Sequence, residues 1–240
     1  MKKLDILAFG AHPDDVELGC GGSIAKATAQ GKSVGIIDLT QGELGTRGTV
    51  AIRSQEALEA AQILKVDIRE NLKFKDGFFQ NDPTHQLAVI QKIRSYKPDV
   101  ILCNAIRDRH IDHGRGAELI KDASFLSGLK RIETQDSDGN LQDPWRPRLV
   151  IHYIQWEEIE PDIILDISGS LETKMEAVQA HKSQFYDPTS EAPATPISSQ
   201  NFLDSVRYRA RNYGRLLGVE AGEGFTVNRW IGVSDFDSLI

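Results

Sequence analysis

Short apolar runs alternate with longer amphipathic segments through the first half of this chain, and this alternation restricts its fold more than any other feature. The runs have the length of buried strands, and the segments between them carry apolar residues at helical spacing. The predicted strands are residues 5–10, 34–39 and 100–103, and the predicted helices are residues 21–30, 52–65, 87–96 and 113–126. Strands that alternate with helices form βαβ units, so the pattern predicts an α/β fold with a mainly parallel sheet flanked by helices. Functional groups are then expected at the carboxyl ends of the strands.

The second half of the chain has a less regular pattern. Residues 149–156 and 163–167 predict two further strands that extend the same sheet. Residues 187–200 contain several prolines among serines and threonines, so they predict neither a regular helix nor a central strand, and we expect a lid or an interface loop there. Because the sequence has neither an internal repeat nor a shift in composition, we expect a single Rossmann-like domain over residues 1–240.

The composition argues against several classes of partner. The chain has 28 Lys and Arg residues against 35 Asp and Glu residues, a net charge of −7, which disfavours a protein that grips nucleic acid through its phosphates. Two cysteines are too few for a disulfide framework. No apolar run approaches the ~18 residues of a membrane span, and the first residues lack the apolar core of a signal peptide. We therefore expect a cytoplasmic protein without a membrane partner.

Ligand-type residues follow two of the predicted strands at their carboxyl ends. These residues are His12, Asp14 and Asp15 after the first strand, and His110, Asp112 and His113 after the third core strand. Because both strand ends lie at the same edge of a parallel sheet, the two loops are expected to converge. A catalytic zinc ion typically takes three nitrogen or oxygen ligands and keeps one position for water. His12, Asp15 and His113 would supply two imidazoles and one carboxylate.

Each motif has a plainer interpretation when it is taken alone. A His-Pro-Asp-Asp segment is typical of a capped turn before a helix, and His110 and His113 would suit the surface of a helix start. Their joint placement after two buried strands favours a metal site. The glycines around Cys20 lack the spacing of a dinucleotide-binding loop, and neither a phosphate-binding loop nor a nucleophile-elbow motif is present. Cys20 and Cys103 are best interpreted as small buried residues.

The paired motif resembles that of a known family. Residues 11–15 (Ala-His-Pro-Asp-Asp), with Glu17 and Gly19 and then His110-x-Asp112-His113, are similar to the motifs of zinc-dependent N-acetylglucosamine deacetylases of the LmbE and PIG-L type. Further segments resemble the branch of this family that acts in bacillithiol biosynthesis. These segments are residues 38–48, 76–79, 181–185 and 222–225.

The resemblance implies a role for each residue of the paired motif. His12, Asp15 and His113 would bind one Zn²⁺ ion, although the same ligands also accept Fe²⁺ or Co²⁺. Asp14 would be the general base, and His110, oriented by Asp112, would stabilise the oxyanion. The resemblance also implies a homo-oligomer, either a trimer or a hexamer.

The substrate implied by this branch is N-acetylglucosaminyl malate, from which the acetyl group would be removed. Arg53 and Arg109 are the candidates to bind the malate carboxylates, because arginine can grip a carboxylate bidentately, although either could instead pair with an acidic residue such as Glu56. Another N-acetylglucosaminide, such as an inositol, chitooligosaccharide or thiol conjugate, is an alternative. A non-catalytic metal-binding or sugar-binding protein is a second alternative, but Asp14 favours an enzyme because pure binding needs no free carboxylate beside the ligands. The sequence leaves the role of His181 open.

Overall fold

A seven-stranded sheet with helices on both faces forms the centre of the computed structural model, which describes residues 2–239. The strands are β1 (Ile6–Gly10), β2 (Val34–Thr40), β3 (Ile68–Phe74), β4 (Val100–Cys103), β5 (Leu149–Tyr153), β6 (Ile163–Asp166) and β7 (Gly222–Val227). The helices are α1 (Asp15–Ala29), α2 (Val50–Ile63), α3 (Pro83–Tyr96), α4 (Ile111–Leu126), α5 (Leu171–Ala180) and α6 (Gln200–Leu217), followed by a short 3₁₀ helix at Phe236–Leu239.

The strand order is β3-β2-β1-β4-β5-β7-β6, and the first five strands in this order are parallel. Strand β7 is inserted between β5 and β6 and runs antiparallel to both. The carboxyl ends of β1 and β4 are therefore adjacent at one edge of the sheet. This topology brings the two candidate loops together, as the sequence predicted.

Alternate residues of β1 pack into two separate cores. Leu7 and Phe9 join one apolar cluster, which also holds buried residues of α3 and α4, whereas Ala8 belongs to a second cluster with residues of α1 and α2. All of these β1 side chains are fully buried. A strand covered on both faces consists of a continuous run of apolar residues, which explains why the central strands were predictable from the sequence.

The α/β class and the mainly parallel sheet are confirmed, but two strands and two α-helices were missed. The sequence did not predict β3, β7, α5 or α6. Strand β3 is only partly buried and carries charged residues, and β7 begins Gly-Glu-Gly, so neither has the apolar run of a central strand. Residues 187–199 form neither helix nor strand, in agreement with their prolines.

Helix α1 begins at Asp15, earlier than predicted, because it continues through a kink at Cys20. Gly19 is required there, since a Cβ atom would lie 2.1 Å from the ring of Tyr153. A buried ion pair bridges the break: Glu223 accepts hydrogen bonds from the backbone N–H groups of residues 22 and 23, and Lys174 donates to the carbonyl of residue 18 and contacts Glu223 at 2.5 Å. The kinked helix holds Asp15 at the carboxyl end of β1.

Two smaller expectations are also resolved by the structure. Cys20 and Cys103 are both buried and unpaired, as expected for small core residues. Among the helices of the described residues, none has the length and apolar character that a membrane crossing requires.

Candidate active site

A cavity of about 350 Å³ opens at the carboxyl edge of the sheet, and both candidate loops line it. The first loop contributes His12, Asp14 and Asp15, and the second contributes His110 and His113. The predicted convergence of the two loops is therefore present in the folded chain.

His12 lies between carboxylates on both sides of its ring. Its Nε2 atom lies 3.1 Å from Oδ1 of Asp76 and 3.5 Å from Oδ2 of Asp112, and its Nδ1 atom lies 3.5 Å from Oδ2 of Asp15. Burial disfavours the charged ring, but these three carboxylates outweigh it and hold the pKa of His12 well above its ordinary value. The site thus stabilises positive charge at this position.

Asp15 is fixed by amide donors on both of its oxygen atoms. Oδ1 accepts a hydrogen bond from Nε2 of Gln155 at 2.9 Å, and Oδ2 accepts one from Nδ2 of Asn104 at the same distance. Burial would raise the pKa of Asp15, but the neighbouring His113 and His12 hold it well below its ordinary value. Asp15 is therefore an ionised, rigidly oriented carboxylate.

His113 repeats the arrangement seen at His12. Its Nε2 atom lies 3.1 Å from Oδ1 of Asp15, and its Nδ1 atom lies 2.5 Å from Oδ2 of Asp108. Burial opposes protonation of the ring, but Asp15 and Asp108 together raise the pKa of His113 to about 9. Histidine ligands of metals characteristically place their second nitrogen on a carboxylate in this way. His12, Asp15 and His113 offer nitrogen and oxygen atoms of the type that divalent cations bind, and ligand atoms of His12, Asp76 and Asp112 form a further group within 4.8 Å of one another.

His110 brings a third imidazole to the same cluster. Ligand atoms of His12, His110 and His113 lie within 4.8 Å of one another, and the ring centroids of His12 and His110 are 4.5 Å apart. Asp112 contacts His110 as expected, but through its backbone and not through its carboxylate. Nδ1 of His110 accepts a hydrogen bond from the backbone N–H of Asp112 at 3.3 Å and so caps α4.

The Asp112 carboxylate has other partners. It accepts hydrogen bonds from the backbone N–H of Gly77 at 2.7 Å and from Arg115 at 2.6 Å, and it faces His12. Asp112 is fully buried because its position in the first turn of α4 turns the side chain under the loop after β3. It supports the first loop of the site rather than His110.

Asp14 is buried beside the cluster and has an unusual backbone conformation. Its φ of 129° lies in the region that side-chain-bearing residues rarely adopt, and such strain is typically found at functional sites. Burial raises the pKa of Asp14 to about 6, although Arg53 opposes this shift. The strained turn presents this carboxyl to the cavity next to Asp15.

The two arginines expected at a malate group have different surroundings. Arg53 is buried at the cavity wall and donates to Asp14 at 3.2 Å, to the carbonyl of Pro13 at 2.8 Å and to that of Gly42 at 3.1 Å, whereas its Nε has no hydrogen-bond partner among the described residues. Glu56, the alternative partner, accepts hydrogen bonds from Ser183 instead. Arg109 is exposed at the cavity, and its guanidinium lies 4.7 Å from the ring centroid of Trp156. Arg53 and Arg109, which the sequence suggested for the same role, therefore differ in burial and in partners.

Four polar residues of the site were not assigned roles from the sequence. They are Asp76, Asn104, Asp108 and Gln155, which hold the histidines or Asp15. Each of them closely follows a strand at its carboxyl end, namely β3, β4 or β5. That position is the signal which could have identified them.

His181 lies outside the cavity wall, in the core. Its ring is fully buried, its Nε2 atom lies 3.4 Å from Oε1 of Glu17, and it packs edge-on against Phe185. Glu17 in turn contacts Arg69, which also binds Asp38 through two hydrogen bonds of 2.9 and 3.0 Å. A buried charge network thus lies behind the first loop of the site.

Comparisons with known proteins agree with this geometry. The family model described as PIG-L, GlcNAc-PI de-N-acetylase, matches residues 7–124, which include both candidate loops. The diacetylchitobiose deacetylase of Thermococcus kodakarensis is 29% identical over 229 residues, which cover 91% of this chain and 81% of that protein. The probable N-acetyl-alpha-D-glucosaminyl L-malate deacetylase 2 of Bacillus subtilis is 27% identical over 199 residues, which cover 76% and 84% of the two chains.

A solved structure extends the similarity over almost the whole chain. The crystal structure of the conserved protein TT1542 from Thermus thermophilus has a TM-score of 0.84 and 34% sequence identity, and the match covers 96% of this chain and 98% of that one. The arrangement of elements described above is therefore shared along the full length of that relative.

Proposed function

Because this chain belongs to the PIG-L family of deacetylases, we propose that it hydrolyses the N-acetyl group of a small N-acetylglucosaminide with the help of one divalent cation. The observation that carries this proposal is the orientation of His12 and His113. Each ring places one nitrogen on a carboxylate of the surrounding shell and turns the other toward Asp15.

His12, Asp15 and His113 are the residues proposed to hold the cation, with Zn²⁺ as the first candidate and Fe²⁺ or Co²⁺ as alternatives. When bound, such an ion supplies Lewis acidity, which polarises an amide carbonyl and lowers the pKa of water. Without a cation, the carboxylates that surround His12 and His113 raise the pKa of both imidazoles and so favour their protonated forms. A cation would therefore compete with those protons for the site.

Asp14 is proposed as the general base. Asp14 lies in the sequence between the candidate ligands His12 and Asp15, but its own carboxylate contacts Arg53. This carboxylate can accept the proton of the attacking water and deliver it to the departing amine nitrogen. The strained backbone of Asp14 fixes this carboxylate at the cavity wall.

His110 is proposed to face the carbonyl oxygen of the substrate. Its Nδ1 atom is occupied by the backbone N–H of Asp112, which leaves Nε2 for the substrate. A proton on Nε2 would stabilise the developing oxyanion. His110 also lies close enough to His12 and His113 to serve as an alternative ligand, so the test of the ligand set includes it.

N-acetylglucosaminyl malate remains the first candidate substrate, supported by the similarity to the Bacillus protein and by Arg109 at the cavity. A chitooligosaccharide is the second candidate, supported by the longer match to the Thermococcus protein. The decisive experiment is release of free amine from a panel that contains N-acetylglucosamine, its malate conjugate and diacetylchitobiose. Turnover of at least one member is expected, and a metal-replete protein inactive on all three would contradict the proposal.

We also propose that the chain assembles with copies of itself. Leu44 and Ile111 line the mouth of the cavity yet are 61% and 66% exposed, and Phe78 nearby is 60% exposed. Apolar side chains exposed together are typical of interaction surfaces. Light scattering is expected to give a trimer or a hexamer, and a mass near 26.7 kDa at micromolar concentration would contradict the assembly.

A further inference from the structure

The cavity continues beyond the candidate metal ligands into a second region, which we call the apolar arm. The arm is bounded by α6, by the segment after β5 and by the first turn of α1. Its apolar side chains are Leu18, Ile154, Ile197, Phe202, Val206 and Tyr213. The arm and the metal-binding cluster line one continuous cavity.

The strand order fixes the direction in which the arm runs. The candidate ligands follow β1 and β4, in the middle of the sheet. Toward β2 and β3 the cavity wall contains the charged side chains of Arg53 and Asp76 beside Leu44, whereas toward β5 and β7 apolar side chains predominate and form the arm. A molecule whose reacting bond lies at the ligands therefore has charged side chains at one end and a mainly apolar wall at the other.

One face of α6 forms the outer wall of the arm. Phe202, Val206, Ala210 and Tyr213 recur at helical spacing and all line the cavity, and Phe202, Val206 and Tyr213 are only partly buried. Phe202 is stacked between Trp156 and Phe185, and Val206 packs against the neighbouring core cluster, but the part of each side chain that stays exposed lines the cavity. Part of the helix is thus left free to contact a ligand.

The polar groups of the arm are few and have partners: Arg209 of α6, which lines the cavity with Ser205, donates to the carbonyl of Trp156 at 3.0 Å. Residues 222 and 224 of β7 are glycines, and a Cβ atom at Gly224 would lie 2.8 Å from the ring of Tyr213. At the far end Lys174 and Glu223, both buried, pair with each other. The arm therefore suits a short apolar chain better than a charged or heavily hydroxylated group.

We propose that the apolar arm holds the acyl chain of the amide substrate, so that the enzyme hydrolyses N-acyl groups longer than acetyl. This inference rests on the proposed function, because it places the scissile amide at the candidate metal ligands. In a trans amide the substituents on nitrogen and on carbon lie on opposite sides of the C–N bond. If the sugar lies on the side of β2 and β3, the acyl chain enters the arm.

The bond changes are the same for every chain length. The oxygen of water forms a bond to the carbonyl carbon, the C–N bond breaks, and the nitrogen gains a proton to leave as the free amine. The products are glucosamine and the corresponding carboxylic acid. A longer chain adds only methylene groups that contact Val206, Phe202 and their neighbours.

The test is a chain-length series with N-acetyl-, N-butanoyl- and N-hexanoylglucosamine, in which kcat/KM is measured by release of free amine. Full burial of one methylene group is worth about fourfold in affinity. We therefore expect kcat/KM for the butanoyl and hexanoyl compounds to equal or exceed that for the acetyl compound. A fall of more than tenfold from acetyl to butanoyl would overturn the inference while leaving the proposed deacetylase function intact. Absence of amine from every compound of this series would overturn the inference, and the proposed function falls with it only if N-acetylglucosaminyl malate and diacetylchitobiose are also left intact.

A variant that fills the arm tests the location. Val206→Trp is expected to lower the ratio of hexanoyl to acetyl kcat/KM at least tenfold, and Val206→Phe is a milder version if the first variant folds poorly. Tyr208→Trp is the matched control, because Tyr208 lies on the same helix but is 64% exposed, and its ratio should stay at the parental value. Thermal melting checks that each variant is folded. A folded Val206 variant with the parental ratio would overturn the assignment of the arm.

Discussion

The guanidinium of Arg53 lies 3.2 Å from the carboxylate of Asp14, with both side chains buried. Two backbone carbonyls, those of Pro13 and Gly42, hold the same guanidinium in place. Arg53 therefore orients the proposed general base. It also opposes the effect of burial, which raises the pKa of Asp14 to about 6.

Arg53→Ala is expected to lower kcat for every substrate by a similar factor. A charge-assisted hydrogen bond is worth roughly 1.5–3 kcal/mol, which corresponds to ~10–100-fold. The measurement compares kcat and KM for N-acetylglucosamine and for its malate conjugate in the parent and the variant. A loss confined to KM for the malate conjugate would show that Arg53 binds the aglycone after all.

Asp14→Asn is expected to retain the metal and the fold but to lose most turnover, because the amide cannot accept the proton of water. General-base contributions are typically ~10²–10⁴-fold in rate. Steady-state kinetics and elemental analysis of the same preparation check both parts of this expectation. Turnover within a few-fold of the parent would remove Asp14 from the mechanism.

The exposed guanidinium of Arg109, above Trp156, gives a test of the malate assignment. If the substrate carries a dianionic aglycone, Arg109→Ala should lower the ratio of kcat/KM for the malate conjugate to that for N-acetylglucosamine by about tenfold, by loss of one charge-assisted hydrogen bond. An equal fall for both substrates would place Arg109 at the sugar or in the scaffold.

Arg69 is expected to be essential for stability. It contacts Glu17 and Asp38, and all three side chains are almost completely buried. Burial alone would raise the pKa of Glu17, but Arg69 outweighs this effect and lowers the pKa to about 2. The Glu17 carboxylate is therefore ionised and depends on Arg69 as its partner. Removal of one partner of a buried ion pair costs ~3–5 kcal/mol.

Arg69→Leu should lower the free energy of unfolding by about this amount in a denaturant titration. Arg131 has an exposed side chain, so the control variant Arg131→Leu should change the free energy of unfolding by less than ~0.5 kcal/mol. Equal stability of the two variants would contradict the role of this network.

Sequence periodicity was sufficient for the central part of the fold. Strands β1, β2 and β4 are covered on both faces, so their apolar runs are continuous and easily recognised. Strand β7 was not recognisable, because its glycines at 222 and 224 accommodate Ile164 and Tyr213 rather than contributing apolar side chains. Its place in the order, between β5 and β6, depends on long-range pairing that a local pattern does not contain.

In the candidate site, too, some features were predictable from the sequence and others were not. The positions of His12, Asp15 and His113 after two core strands were enough to predict that they meet. Which carboxylate faces which ring was not predictable: Asp112 turns to His12, and Asp108, five residues before His113, holds that histidine instead. These contacts depend on how the loop after β3 and the start of α4 pack together, as in the hydrogen bond from Gly77 to Asp112.

We propose that deacetylation depends on a cation held by His12, Asp15 and His113. The most direct measurement is release of amine from the best N-acetylglucosaminide by three preparations, namely the parent, the parent stripped by a chelator and then restored with Zn²⁺, and His113→Ala, each with its bound metal quantified. His110→Ala, analysed in the same way, shows whether His110 serves as a ligand. We expect one ion per parent chain, loss of activity on stripping, recovery on restoration, and a His113→Ala variant that is folded but depleted of both metal and activity. Full activity of the stripped parent would show that no cation is needed, and a full complement of metal in His113→Ala would show that His113 is not a ligand.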